Sequence, residues 1–415
     1  MAKIVFQNPF RPGAGHMPPY LAGRNKEKEE FRKLLRQDLI LENMVLTGLR
    51  GVGKTVLLDT FKPLAQNSGW RWAGTDLSES TSISEKKVAV RLITDLSMVT
   101  SDIVFESEII RTIGFARKDE IVNKRLNYET LSRVFNSTPG LIADKLKAII
   151  ELVWNCMRSK SSKGIIFAYD EAQTMSDYGK KEQYPLSLLL DVFQSIQKKG
   201  IPFMLILTGL PTLFPKLVEA RTFAERMFRV VFLDKLTTKD SRDAIEKPIA
   251  FDDCPVVLSD ESIGLIIETS AGYPYFIQFI CKEVYDVFVQ QHKKGKIKGV
   301  PMDEITRKLD NDFFAGRWAK ATDRQRDLLR VIANLPDADE EFTVHDIVEQ
   351  SEMLENPFKG SQVNQMLLAL ANKGLVYKNR HGKYSFAVPL LGQFILRKTR
   401  KKTGLYLWDD LEFDS

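Results

Sequence analysis

The spacing of apolar positions along the chain changes several times, and each change marks an element. Over residues 26–41, Phe31, Leu34, Leu35 and Leu39 recur at helical spacing among charges, which predicts an amphipathic helix. Short continuous apolar runs follow at 44–47, 70–75, 165–169 and 203–208, separated by stretches of helical period. Buried strands alternating with crossover helices predict a parallel sheet in an α/β unit with helices on both faces. Residues 1–25 carry Pro9, Pro12, Gly13, Gly15, Pro18, Pro19 and Gly23 and read as an extended arm. Residues 101–142 show no clean period and read as an insertion in an α/β domain spanning 26–235. From 236 to 315 the pattern is mostly helical, as in a smaller second domain. Residues 316–402 show three helical periods and then two strand patterns.

Composition narrows the class. A chain of 415 residues suggests two or three domains. With 44% hydrophobic and 27% charged residues each can bury a core, so wholesale disorder is excluded. The net charge of +6 excludes a histone-like polybasic protein but not a local basic face. Cys156, Cys254 and Cys281 are too few and too scattered for a disulfide framework, which fits a reducing cytoplasm. No apolar run approaches the roughly 18 residues of a membrane span, and residues 1–11 lack the apolar core of a secretory signal. His16, His292, His345 and His381 show no ligand spacing with the cysteines, so no structural metal is expected.

The strongest chemical signal is Gly48-Leu49-Arg50-Gly51-Val52-Gly53-Lys54-Thr55, between a predicted strand and a predicted helix. The glycines permit a tight turn whose successive N–H groups, with the helix N-terminus, face phosphates. Lys54 reaches the β- and γ-phosphates and the Thr55 hydroxyl ligates Mg²⁺. Gly48, Arg50, Gly51, Val52, Gly53, Lys54, Thr55 and Val56 form the expected nucleotide-binding set. Downstream, the apolar run 164–169 ends in Asp170-Glu171-Ala172-Gln173. Asp170 is placed to hold the magnesium through water, and Glu171 to orient or activate an attacking water. A third strand ends at Thr208, whose hydroxyl can sense the γ-phosphate or hold that water. The segment Glu225-Arg226-Met227-Phe228-Arg229 precedes a short apolar strand at 230–233. An arginine there can reach a neighbouring subunit's γ-phosphate; Arg226 is favoured, with Arg229 left open.

Together these residues resemble the AAA+ ATPases, and more closely a bacterial set with replication-initiator-like, transposition-regulator-like and signalling (STAND-like) members. The resemblance is carried by Tyr20-Leu21-Ala22-Gly23-Arg24, by the phosphate loop, by Asp170-Glu171-Ala172-Gln173 and by the corner at Glu225-Arg226-Met227-Phe228. It spans roughly residues 15–290 and implies that Leu21 and its neighbours, Arg24 included, line the adenine pocket. It also implies that Thr208 is the first sensor, that Arg226 is the finger across a ring or filament interface, and that 236–315 is a helical lid. Where many such lids carry Gly-Asp-x-Arg, this chain has Ser270-Ala271-Gly272-Tyr273-Pro274-Tyr275 without an arginine. That departure is closer to the signalling-type lid and is consistent with slow hydrolysis; Tyr273 or Tyr275 can stack on a base or serve as core aromatics.

In residues 316–402, Thr322 and Gln325 form a capping-box pattern ahead of Leu328, Leu329 and Ile332. A second helix follows Thr343, a third spans 361–373 with Gly374 as its cap, and strands at 375–378 and 383–388 flank a short turn. This order resembles a winged helix-turn-helix. Between 359 and 402 lie Lys359, Lys373, Lys378, Arg380, Lys383, Arg397, Lys398, Arg400, Lys401 and Lys402 with no acid. Ser361, Gln362, Asn364 and Gln365 are expected to face DNA base edges or phosphates, with Lys378, Arg380 and Lys383 gripping the backbone. Residues 403–415 reverse sign, with Asp409, Asp410, Glu412 and Asp414; this acidic-aromatic tail reads as a frayed end, with docking on a partner, or folding back on the basic face in competition with DNA, as the alternatives.

The sequence thus predicts a cytoplasmic, homo-oligomeric ATPase that uses ATP and Mg²⁺ and engages double-stranded DNA, with no membrane partner. The alternative is a nucleotide-gated switch or scaffold that recruits an effector protein with little turnover.

Overall fold

The structure is a computed structural model that describes residues 7–13, 15–111, 119–158, 162–251, 254, 256–293, 300–338, 340–380 and 382–403. The described chain forms two compact units: Arg24–Gly48 with Lys54–Leu233, and the described parts of Met1–Gly23, Leu49–Gly53 and Asp234–Ser415.

The first unit contains β1 (Asn43–Gly48), β2 (Trp70–Asp76), β3 (Val104–Arg111), β4 (Asp119–Arg125), β5 (Gly164–Asp170), β6 (Phe203–Gly209) and β7 (Phe228–Leu233). Five of these form one parallel sheet in the order β2-β5-β6-β1-β7. Strands β1, β5 and β6 are buried along their whole length, which is why they read as continuous apolar runs rather than as alternation. Alternate residues supply two faces. Val45, Phe167, Leu205 and Leu207 join a core with residues of the helices Glu85–Thr100, Ile142–Met157 and Pro185–Lys198. On the other face Trp72 meets Phe31, which stacks on Phe61 at 4.2 Å, so the helices Asn25–Leu35 and Lys54–Asn67 cover that side.

One sequence expectation is corrected here, and one patternless stretch gains its elements. The helix expected over 26–41 ends at Leu35, and Leu39 is 58% exposed. The Gln37 side chain stops it by bonding the Leu34 and Glu42 carbonyls and accepting from the Leu41 and Glu42 amides. The patternless stretch 101–142 holds the antiparallel ribbon β3–β4, the helix Tyr128–Ser137 capped by Asn127, and the start of Ile142–Met157. Leu131 is the one residue of Tyr128–Ser137 that is fully buried, so the segment carried too little apolar period to read.

The second unit opens with the helices Thr238–Glu246, Asp260–Ser270, Pro274–Lys293 and Met302–Leu309, then a π-helical turn at Asp310–Ala315. The arm is fastened to this unit: Phe10 is buried, Asn8 Nδ2 donates to the Lys282 carbonyl at 2.9 Å, and the Arg11 amide donates to Gln278 Oε1 at 3.2 Å. The helices Asp323–Ala333, Val344–Ser351 and Gly360–Asn372 follow, with β8 (Phe342–Thr343), β9 (Val376–Arg380) and β10 (Lys383–Phe386) in the order β8-β10-β9. The Thr322–Gln325 capping box forms in both directions, and Gly374 takes φ +69° just past the third helix. Sequence reading missed β8, which is only two residues long, and the terminal helix Leu391–Thr403. That helix packs Phe394 on Phe314 at 5.2 Å; its apolar residues follow so closely on β10 that their period was masked.

Candidate active site

The C-terminal ends of β1, β5 and β6 lie side by side, so the three motifs found separately in the sequence converge. After Gly48 the loop turns through two left-handed glycines, Gly51 at φ +82° and Gly53 at φ +91°, before the helix begins at Lys54. A Cβ on Gly51 would sit 3.1 Å from Tyr275 Cβ, whereas the space above Gly53 is open. These are positions where glycine is required by the turn. Lys54, largely buried, directs its Nζ to the Gly48 carbonyl at 2.9 Å, and so folds back along the loop. Val52 is buried, Arg50 is exposed and Val56 is half-buried on the helix.

Thr55 Oγ1 donates to Asp170 Oδ2 at 2.5 Å. Since that hydroxyl spends its proton on Asp170, its lone pairs are available to a cation, and the pair presents only hard oxygen donors, as magnesium requires. Asp170 is 3% exposed and its second oxygen accepts from the Glu171 amide at 2.7 Å. Glu171 itself adopts φ +53°, a left-handed conformation that costs a non-glycine residue on the order of 1 kcal/mol. The strain turns its side chain out of the strand direction, where Gln173 Nε2 donates to its carboxylate.

Thr208 is completely buried at the end of β6, and among the described residues its hydroxyl has no hydrogen-bond partner; the same holds for Thr47 Oγ1 near the end of β1. Each buried hydroxyl without a partner carries a desolvation cost. Sequence reading quoted Gln173 but gave it no role. Its Oε1 accepts from the Leu210 amide at 3.2 Å, so it ties Glu171 to the end of β6. Lys216, absent from the sequence analysis, donates to the Gln173 carbonyl at 2.9 Å, and burial pulls its pKa down. Nothing in the sequence spacing links Lys216 to the motif; only the fold does.

The two candidate arginines separate cleanly. Arg229 donates to Glu30 at 2.5 Å and Glu42 at 2.7 Å, and these hydrogen bonds hold its pKa above the usual value. Arg226 stands exposed on the short helix Ala224–Met227 with no partner among the described residues. Arg24 is buried and pairs with Glu27 at 3.3 Å; Leu21 is half-buried. Tyr275 and Tyr273, both half-buried, pack against Phe276, and Tyr275 also against Phe313.

In the C-terminal module Ser361, Gln362, Asn364 and Gln365 are all exposed on the helix Gly360–Asn372, and Lys378 is exposed on β9. Lys383 is half-buried and its charge acts on Asp346. The basic stretch is less free in space than in sequence: Arg397 pairs with Asp310 at 2.5 Å and Lys373 bonds Gln325 Oε1 at 2.7 Å. The side chains of Arg380, Arg400, Lys401 and Lys402, together with His381 and the tail 404–415, lie outside the described residues. Among the described residues no helix is long and apolar enough to cross a membrane.

Comparison with solved structures places this architecture. The ORC2 protein of Aeropyrum pernix in its ADP form matches with a TM-score of 0.53 at 14% identity, over 93% of this chain and 97% of that one. CDC6P of Pyrobaculum aerophilum matches at 0.46 and 16% identity, over 94% and 97% of the two chains. AMPPCP-bound DnaA of Aquifex aeolicus matches at 0.38 and 11%, over 92% and 96%. A family model described as Domain of unknown function (DUF8462) matches residues 311–395. No curated protein matches. The chain shares the fold of the ORC2 structure, a five-stranded parallel sheet with flanking helices followed by a largely helical C-terminal part.

Proposed function

We propose that this chain binds ATP with magnesium, hydrolyses it, and couples the nucleotide state to homo-oligomeric assembly and to engagement of double-stranded DNA. The observation that carries the reading is the Thr55–Asp170 hydrogen bond beside a Lys54 folded along its loop, which joins residues from two distant motifs into one phosphate and cation site. The loop amides and Lys54 hold the phosphates, and Thr55 and Asp170 hold the metal. Bound magnesium supplies charge neutralisation at the phosphate oxygens. Glu171, oriented by Gln173, accepts the proton of the attacking water, and the Thr208 hydroxyl positions that water. Arg226, free and exposed, is supplied to the site of a neighbouring copy.

The C-terminal module, read as a winged helix, offers the exposed Ser361, Gln362, Asn364 and Gln365 to the major groove and Lys378, Arg380 and Lys383 to the phosphates. The reading is supported for nucleotide by the ADP form of the similar ORC2 structure. Its test is nucleotide affinity: Lys54→Ala should abolish ATP binding while circular dichroism stays native. A companion assay mixes Arg226→Ala with Lys54→Ala protein; a mixed population in which neither variant alters the other's turnover counts against an arginine supplied in trans. The scaffold reading draws on the lid sequence without arginine, and it predicts full biological output from a variant that binds ATP but does not cleave it.

A further inference from the structure

Within the unit Arg24–Gly48 with Lys54–Leu233, the short turn after Asp170 is held by a lysine from a later helix. The turn's own bonds run from the Thr174 amide to the Glu171 carbonyl at 3.0 Å and from the Met175 amide to the Ala172 carbonyl at 3.1 Å. Neither uses the Gln173 carbonyl. Lys216 Nζ donates to that carbonyl at 2.9 Å and to Ser176 Oγ at 3.2 Å, and so clasps the loop at two points. The helix Leu213–Ala220 anchors the lysine: Leu213 and Leu217 are fully buried in the core that also contains Ala172 and Met175. Gln173 is thereby held at both ends, its carbonyl by Lys216 and its Oε1 by the Leu210 amide at 3.2 Å. Its Nε2 is left to donate to the Glu171 carboxylate.

A lysine on a surface helix ordinarily keeps its ammonium in water. Lys216 turns its head inward instead: desolvation pulls its pKa down against the opposing charge of Glu219, and both of its hydrogen bonds go to neutral oxygens rather than to a carboxylate. What those bonds hold is the turn in which Glu171 sits at φ +53°, a conformation that persists where the surrounding structure over-determines it. We infer that Lys216 is a positioning residue for hydrolysis: by fixing Gln173 it holds the Glu171 carboxylate where it takes the proton of the attacking water. The inference rests on the hydrolytic reading above and adds to it the group that keeps the base in place.

The test is a double-mutant cycle in the full-length protein, with phosphate release from radiolabelled ATP and magnesium as one readout and binding of mant-AMPPNP as the other. Lys216→Met keeps the apolar stem and removes the donors. It should lower kcat by about 10–100-fold while mant-AMPPNP affinity stays within about twofold of wild type. Lys216→Arg, which keeps a cation and its donors, should recover most of the turnover. In a Glu171→Gln background Lys216→Met should cost nothing more, because the lysine acts through the carboxylate that is already lost. If Lys216→Met melts below the assay temperature, Lys216→Gln carries the same comparison. Wild-type turnover in the lysine variants, or the same fractional loss in the Glu171→Gln background as in wild type, overturns the proposal and leaves the hydrolytic reading standing. No release by wild type, or equal release by wild type and Glu171→Gln, overturns both.

Discussion

At the scale of one residue, Thr208 carries the proposed water-positioning role on a hydroxyl that burial leaves without a partner among the described residues. A threonine hydroxyl sealed at the end of β6 without a partner among the described residues costs about 1–3 kcal/mol. Thr208→Val should therefore raise the melting temperature of the nucleotide unit by about 2–4 °C and lower turnover; a rise in stability with unchanged hydrolysis makes the hydroxyl incidental. Cys281 makes the opposite case. It is 1% exposed and burial pushes its thiol pKa far up, so it is inert. Alkylation of native protein, mapped by mass spectrometry, should modify the half-buried Cys156 and Cys254 before it. Lys54, Thr55 and Asp170 stood out in the sequence because phosphate and metal chemistry would fix both residue type and spacing, and the fold brings Thr55 to Asp170. Gln173's role and Lys216 were not, since each acts through a backbone group that only the fold brings near.

Among the elements, the sheet was readable because strands buried on both faces leave continuous apolar runs. The ribbon β3–β4 was not readable, because a two-stranded ribbon has no central strand to impose such a run. The corner before β7 carries a prediction of its own. Arg229 ties the strand to Glu30 and Glu42, whereas Arg226 is exposed and its side chain has no ion-pair partner among the described residues. Arg229→Ala should lower the melting temperature modestly, and less so at high salt, where surface ion pairs are screened. Arg226→Ala should leave melting unchanged and reduce only turnover of the assembled protein. Equal melting losses in the two variants would show that the corner's two arginines share one structural role. At Gly209 the added Cβ of Gly209→Ala would meet Gln173 Oε1 at 2.5 Å, so that variant should disturb the Glu171 tether and slow hydrolysis without loss of ATP binding.

For the whole molecule, charge is where sequence and structure differ most. The stretch 359–402 contains no acid, yet the fold brings Asp310 to Arg397 and Asp346 near Lys383. Fewer cations are free than the sequence counts. On duplex DNA, Lys378→Ala should flatten the dependence of log affinity on log salt by about 0.9, and Arg397→Ala by much less. Equal effects would mean that the Arg397–Asp310 pair opens on DNA. The account as a whole stands on the claim that Thr55, Asp170 and Glu171 form a working hydrolytic site. The most direct measurement is magnesium-dependent phosphate release from ATP by wild type and Glu171→Gln, with ATP binding followed in parallel. The account predicts release by wild type, and in Glu171→Gln retained binding with release suppressed by a factor of about 10²–10⁴. Equal release by the two proteins, or none by wild type that binds ATP, would contradict it.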